Sequence, residues 1–546
     1  MTFRGERTTD SMKLLRVRVA AFCFVLVSGG AAGSCGNGTG SGGADAGSDG
    51  PGGDAAHGDF QPDLPLPTGD LREAGADGAG DLDAAPQFAP LECPDVSGTA
   101  KNLLDKAEYF DLVARKWHLP AGQDHWFSVR LKEDLETFDQ VDMSDNVGSW
   151  TAMYSASQSF RYATTKDPEA LENLRRVVRG EHNMMKITGV PGLFSRVMIN
   201  PSLPGFPSAE KLAVWYPDCD LSVKHCKRFN EVTEGEFKGW WFKNDVSKDE
   251  YAAHMFAMAV AWEVVDDPEV RTRVEDIVLQ VGDHLVDHKL AITDIDGKMT
   301  LFGGMMAMGV DDFPPFDAVL SLSWLKLAAV VGGPEKGKKY QDFLDDCLLQ
   351  KNGVKECIPP EPPKPYTDYL DMVGLDLGCK TNWNNHNMSQ LAMYSLIRTE
   401  DDPVLKALYR KTLRKQMWEA DDHPMAEQQK TLYAMFYMIN KDPKDPWPEQ
   451  AAREALCTMK RFREHKAHFA VDNISKYKTV CTARDDDPMT DFVLPIEEQA
   501  MDNYLWGGNP YELEVDPGDP QLVESPEDYL LAYWMGRYFG FIAAEM

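Results

Sequence analysis

Residues 251–288 read YAAHMFAMAVAWEVVDDPEVRTRVEDIVLQVGDHLVDH. The first part, Tyr251 to Val265, is apolar or small nearly all round, the pattern of a helix buried on every side. Asp267 then suits the cap of a second helix, and Pro268 suits its first position, where no hydrogen bond is lost. The stretch from Pro268 to His288 is amphipathic and charged, a helix with one wet face. The unit is a helical hairpin: a buried helix, a tight turn and an outer helix.

The same turn recurs at Asp167-Pro168, Asp402-Pro403 and Asp442-Pro443, and Gly333-Pro334-Glu335 stands in a similar place. Repeated units of this kind define the architecture. Apolar stretches precede the turns at Phe316 to Val331, Met388 to Ile397 and Met425 to Ile439, and charged amphipathic ones follow at Pro168 to Gly180 and Pro403 to Ala420. Two helices are left over, the amphipathic Ala100 to Trp117 and the apolar Pro526 to Ala544. If these pair, the chain closes into an all-α ring, an (α/α)6 toroid of six inner and six outer helices. An open solenoid is the alternative, but the terminal helices read as partners rather than polar caps.

In a closed ring the short Asp-Pro turns share one rim. The starts of the inner helices share the other, with the long connections 188–247, 290–314, 350–383 and 466–525. Long loops in a compact domain are usually functional, so that rim is the expected functional face. Asp296-Gly297, between Leu290-Ala291-Ile292 and Leu301-Phe302, predicts a small β-hairpin over it.

The first 90 or so residues do not belong to the ring. Met12 to Arg18 is a basic start and Val19 to Val27 an apolar run too short to span a bilayer. Residues 1–35 therefore read as an export signal. Ala32-Gly33-Ser34-Cys35 is similar to a bacterial lipoprotein signal, which implies lipid on Cys35; it departs from that pattern in having Ala32 where Leu is usual. Residues 36–90, rich in Gly, Ala, Asp and Pro, cannot bury enough surface to fold and read as an acidic tether. Residues 91–546 form the expected ring. The protein is expected outside the cytoplasm of a bacterium, held at a membrane by its lipid alone, as a monomer.

The net charge of −31 argues against nucleic acid as a partner. It also disfavours a polyanionic substrate, unless a local basic site overrides it. Of the ten cysteines, Cys23 and Cys35 fall in the signal; the other eight suit disulfides in an exported protein. Nearness pairs Cys219 with Cys226, Cys347 with Cys357 and Cys457 with Cys481, leaving Cys93 with Cys379; other connectivities stay open. There is no CxxC and no His/Cys zinc spacing, so no structural metal is expected.

The starts of the inner helices carry the candidate chemistry. They include Ser144-Asp145-Asn146 with Trp150, Asn244 to Glu250 with His254, Asp311-Asp312, Trp383-Asn384-Asn385-His386-Asn387, Asp421-Asp422-His423 and Ser525-Pro526-Glu527-Asp528. Any one of these acids is explained by helix capping, and Ser247 with Glu250 fits a capping box. Together they bring carboxylates and aromatic rings to one mouth. Glycosidic-bond chemistry needs one acid for the leaving oxygen, one base or nucleophile, and flat faces for sugar rings. The densest run is Trp240 to His254, WWFKNDVSKDEYAAH. Asp249 is the leading catalytic candidate and Asp145 the second, followed by Asp245 and Glu250. Trp240, Trp241, His254, Trp383, Asn385, His386, Trp150 and Arg196 are the substrate-binding candidates.

With its hairpin count, inner and outer contrast and acidic rim, residues 95–546 resemble the six-hairpin glycosidase superfamily. The resemblance rests on no diagnostic catalytic motif. It implies a site at the mouth and a carbohydrate substrate, with no metal or organic cofactor. The leading expectation is a glycoside hydrolase. A polysaccharide lyase needs a Tyr or His base (Tyr251, His254 or His386) and a cation for a uronate, for which Arg196 is the best single candidate. A non-catalytic lipoprotein that binds glycan or protein is the third reading.

Overall fold

The computed structural model describes residues 100–215, 227–307, 314–353, 364–374, 377–421, 423–484, 486–499 and 504–546. All lie in one compact unit, Asp70–Met546. The export signal, Cys35 and the tether lie outside the described residues, as do Cys93, Cys219, Cys226 and Cys357.

The main helices in chain order are α1 (Leu103–Val113), α2 (Val147–Thr165), α3 (Pro168–Lys186), α4 (Lys248–Val264), α5 (Pro268–Asp287), α6 (Pro314–Lys336), α7 (Lys338–Phe343), α8 (Trp383–Thr399), α9 (Pro403–Thr412), α10 (Thr431–Asn440), α11 (Glu449–Arg461) and α12 (Glu527–Tyr538). The even-numbered ones are buried nearly all round, as their sequences require: α4 is covered from Glu250 to Ala261 and α12 from Glu527 to Gly536. Helix α2 packs on α4 and on α12, α4 also on α6 and α8, α8 on α6 and α10, and α10 on α12. The odd-numbered helices lie against these: α3 on α2, α5 on α4 and α6, α7 on α6, α9 on α8, α11 on α10 and α1 on α12.

Three Asp-Pro turns form as expected. Asp167, Asp267 and Asp402 each accept a backbone N–H of the following helix, with Pro in the first turn. Asp442-Pro443 does not start a helix. Asp442 closes a local turn onto the Lys444 N–H, and Pro446 and Pro448, which have no N–H, postpone α11 to Glu449. Helix α10 begins later than Met425, because Gln429 takes a left-handed φ of 54° and separates a short turn at Met425–Glu427 from the helix. Helix α6 is likewise interrupted, at Gly333, by a φ of 60°.

The structure holds more β-structure than the one hairpin expected. That hairpin exists as β6 (Ala291–Thr293) against β7 (Met299–Gly304). Before it in the chain come a pair, β1 (Ser128–Leu131) with β2 (Phe138–Asp142), and an antiparallel sheet of β3 (Val197–Ile199), β5 (Trp241–Lys243) and β4 (Phe229–Glu231) with β5 central.

Cys379 is bonded to Cys481, which replaces both expected pairings, Cys457 with Cys481 and Cys93 with Cys379. The turn at Gly378–Lys380 lies on the strand Cys481–Thr482, above a cluster of Trp383, Ala483, Met489 and Tyr511. The loops carrying these cysteines are neighbours in space though not in sequence. Cys347 and Cys457 are also disulfide-bonded.

Candidate active site

The three-stranded sheet delivers three cations to the start of α2. In its register Val197 and Phe229 both stand opposite Lys243. Arg196 precedes β3, Lys227 precedes β4, and Lys243 ends β5, so the three emerge side by side. Lys227 donates to the Asp145 carboxylate at 2.7 Å, and Lys243 is ion-paired to the same carboxylate. Burial pulls Lys243 down to about 8, and it lowers Lys227 too.

Arg196 is buried and ties two helix starts together. Its Nε donates to the Asp245 carbonyl at 2.6 Å, Nη1 to the Asp145 carbonyl at 3.4 Å and Nη2 to Ser247 Oγ at 2.9 Å. Ser247 in turn donates to Asp249. Ser247 therefore makes no cap bond, contrary to the capping box its spacing with Glu250 suggests. The other Asp249 oxygen accepts from Asn384 Nδ2, in the first turn of α8, at 3.3 Å. Asp249 is the half-buried residue in an otherwise covered first turn of α4.

The remaining acids of this run are more deeply buried. Asp245 is buried with a left-handed φ of 58°; its carboxylate accepts the Leu301 N–H at 2.8 Å and so anchors the hairpin. Glu250 is fully buried below Gly148. Burial, and then the Asp249 charge, push its carboxyl well above the usual range. His254 is fully buried, bonded through Nδ1 to Glu181 at 3.0 Å and stacked on Phe194 at 4.0 Å. It is a core histidine and presents no face to a sugar. Trp241, 8% exposed, packs among Ile199, Leu212 and Phe229, so it is not a stacking platform either. Its neighbour Trp240 points the other way, half-buried against Phe237.

The circuit of helix starts continues from Asn384. Trp383 beside it meets His386, His423 and Tyr511 edge-on or tilted, at 5.5 to 5.6 Å. Asn385 closes the α8 cap, its N–H bonded to Asn382. Asn387 accepts from Tyr433 of α10 at 2.5 Å. Tyr504 stacks on Trp150 of α2 at 5.7 Å, with its hydroxyl buried and unbonded among the described residues.

Glu527 and Asp528 open α12 nearby, both fully buried, and burial raises both carboxyls. Lys466 pairs with Asp528 at 2.8 Å. Lys227, Lys243 and Tyr504 were not singled out from the sequence, and Asn384 and Glu527 were named only as parts of helix starts. Lys243 stood inside the Trp240–His254 run, where strand alternation between Phe242 and Asn244 was the only signal.

Among the described residues no group of His, Cys, Asp and Glu is arranged to hold a metal ion. No protein-family model and no curated protein matches the chain. Among solved structures, a metagenome-derived glycoside hydrolase family 9 endoglucanase is similar with a TM-score of 0.36 and 12% identity over 80% of each chain. Endoglucanase CelQ from Clostridium thermocellum, complexed with cellotriose, is similar with a TM-score of 0.31 and 11% identity over 76% of this chain and 63% of that one. The same enzyme with cellotetraose has a TM-score of 0.30, also at 11% identity.

Proposed function

We propose that the chain is a glycoside hydrolase built as an (α/α)6 toroid. The helix neighbours support the ring, since the relation of α2 to α12 joins the two ends of the inner series. One observation carries the chemistry: Arg196 bonds both the main-chain carbonyl of Asp145, whose carboxylate is held by two lysines, and Ser247, which together with Asn384 holds the half-buried Asp249 carboxyl. Asp145, between two ammonium groups, serves as base or stabilising carboxylate. Asp249 faces the mouth and exchanges the proton of the leaving oxygen. Trp150, half-buried at the start of α2, supplies a flat surface beside them.

A lyase is the second reading, favoured by the convergence of Arg196, Lys227 and Lys243, which could neutralise a uronate. A panel of plant, algal and bacterial glycans separates the two. New reducing ends without new ultraviolet absorbance support hydrolysis, unsaturated products support a lyase, and inertness toward the whole panel counts against both. The export signal, the lipid on Cys35 and the tether belong to the same proposal. Cys35→Ser should move the protein from the membrane to the soluble fraction.

A further inference from the structure

Four buried lysines lie at or beside the helix starts, and three of them have a carboxylate. Lys243 pairs with Asp145, Lys248 with Asp317 at 2.9 Å, and Lys466 with Asp528 at 2.8 Å. Lys430 is different. It is 4% exposed, directly before α10, and no carboxylate among the described residues pairs with it. Its ammonium donates to the Gly508 carbonyl at 2.6 Å and otherwise lies over two rings, 5.0 Å from the centre of Trp383 and 5.5 Å from that of Tyr433.

An ammonium has three N–H groups, and a buried lysine without a counter-charge is rare because its desolvation is uncompensated. Burial accordingly pulls Lys430 down to about 7. A neutral side chain would fill the same space without that cost. The position also matters. Trp383, under the ammonium, adjoins Asn384, which holds Asp249, and Tyr433 bonds Asn387 one turn further along the same helix. The uncompensated cation thus stands in the circuit that carries the candidate carboxyl, on a protein whose net charge is −31.

We propose that Lys430, set against Trp383 and Tyr433, is an anion-binding subsite of the mouth, taking the carboxylate or sulfate of an acidic sugar unit. The inference rests on the carbohydrate reading above and narrows it to acidic glycans. The cation supplies charge-assisted hydrogen bonds to the anionic substituent.

The test is binding, not turnover, so it is independent of the glycan panel. The full chain is titrated calorimetrically with glucuronate, glucose 6-sulfate and glucose. At least one acidic sugar should bind about tenfold or more tighter than glucose. Lys430→Gln should abolish that preference and leave glucose binding unchanged, while Lys430→Arg should retain part of it. The two acidic sugars distinguish a carboxylate site from a sulfate site. Lys430→Gln is expected to fold, since it removes an unpaired buried charge, and circular dichroism of the variant checks this. Should it misfold, the wild-type comparison still decides. Equal or undetectable binding of all three sugars, or a preference that survives in folded Lys430→Gln, overturns the subsite. Acidic-sugar binding with no activity on any glycan would overturn the enzyme reading and leave the subsite standing.

Discussion

Asn384 of α8 donates its side-chain amide to the Asp249 carboxylate of α4 at 3.3 Å, joining two inner helices at the group expected to move a proton. Asp249→Asn should keep the fold and cut turnover at least about a hundredfold, the scale of a lost proton-transfer group. Asn384→Ala should lower kcat by about ten- to a hundredfold through loss of orientation, with KM little changed. Steady-state kinetics and melting curves on the same preparations check both. Full activity in Asp249→Asn removes this residue from the mechanism.

Glu250 is held above the usual carboxylate range by burial and by Asp249, and that fixes the sign of its pH dependence. Its folded pKa exceeds the unfolded one. Its contribution is therefore complete below about pH 4.5 and is lost as pH rises through the folded value. Glu250→Gln removes the titration. The variant should gain on wild type by up to about 1.4 kcal/mol per pH unit within that window. Urea midpoints at pH 4, 6 and 8 measure the gain; parallel curves for the two proteins would show that Glu250 is not the group described. Retained turnover in Glu250→Gln would separate it from the catalytic pair.

Gly148 lets α2 pass directly over Glu250 and His254. A Cβ there would lie 2.3 Å from Glu250 Oε2 and 2.9 Å from His254 Nε2. Gly148→Ala should destabilise the fold by about 1–3 kcal/mol, the usual cost of overpacking. A melting temperature equal to wild type would mean that the two helices can separate at little cost.

Cys379 and Cys481 are 102 residues apart, so their bond removes a long loop from the unfolded ensemble. Replacing both by Ser should cost about 2–5 kcal/mol. A non-reducing peptide map should show the two linked. Finding Cys481 joined to Cys457 would restore the pairing that nearness suggests and contradict the spatial one.

The hairpins were legible because their signals are local. Asp167, Asp267 and Asp402 each act within three residues of themselves, and the buried helices declare themselves by composition. Asp442 shows the limit of the rule: the same dipeptide followed by two more prolines starts no helix. Apart from the β6–β7 hairpin the small sheets were not legible, since strands of two to five residues carry too little alternation to read. The site was legible only in part. Asp145, Asp249 and Arg196 could be named from where they stand in the chain, but not that a guanidinium would join two of the helix starts, nor that Lys227 and Lys243 would converge on Asp145. Those depend on pairings between strands far apart in sequence. Trp241 and His254 were misread for the reverse reason: residues adjacent on the chain point in different directions once a strand or a helix forms.

The packing of α1 on α12 has a temporal consequence. Tyr529 of α12 donates to the Leu103 carbonyl across a separation of 426 residues, and Trp534 donates to Asp111 of α1 at 3.1 Å. At roughly 5–20 residues per second, synthesis of the intervening chain takes roughly 20–85 seconds. Through that interval the buried face of α1, with Leu103, Ala107 and Phe110, lacks the helix that covers it. The first of the described helices is thus completed by the last, so chains broken off before α12 should leave α1 uncovered and be removed by proteases, not persist as partly active fragments.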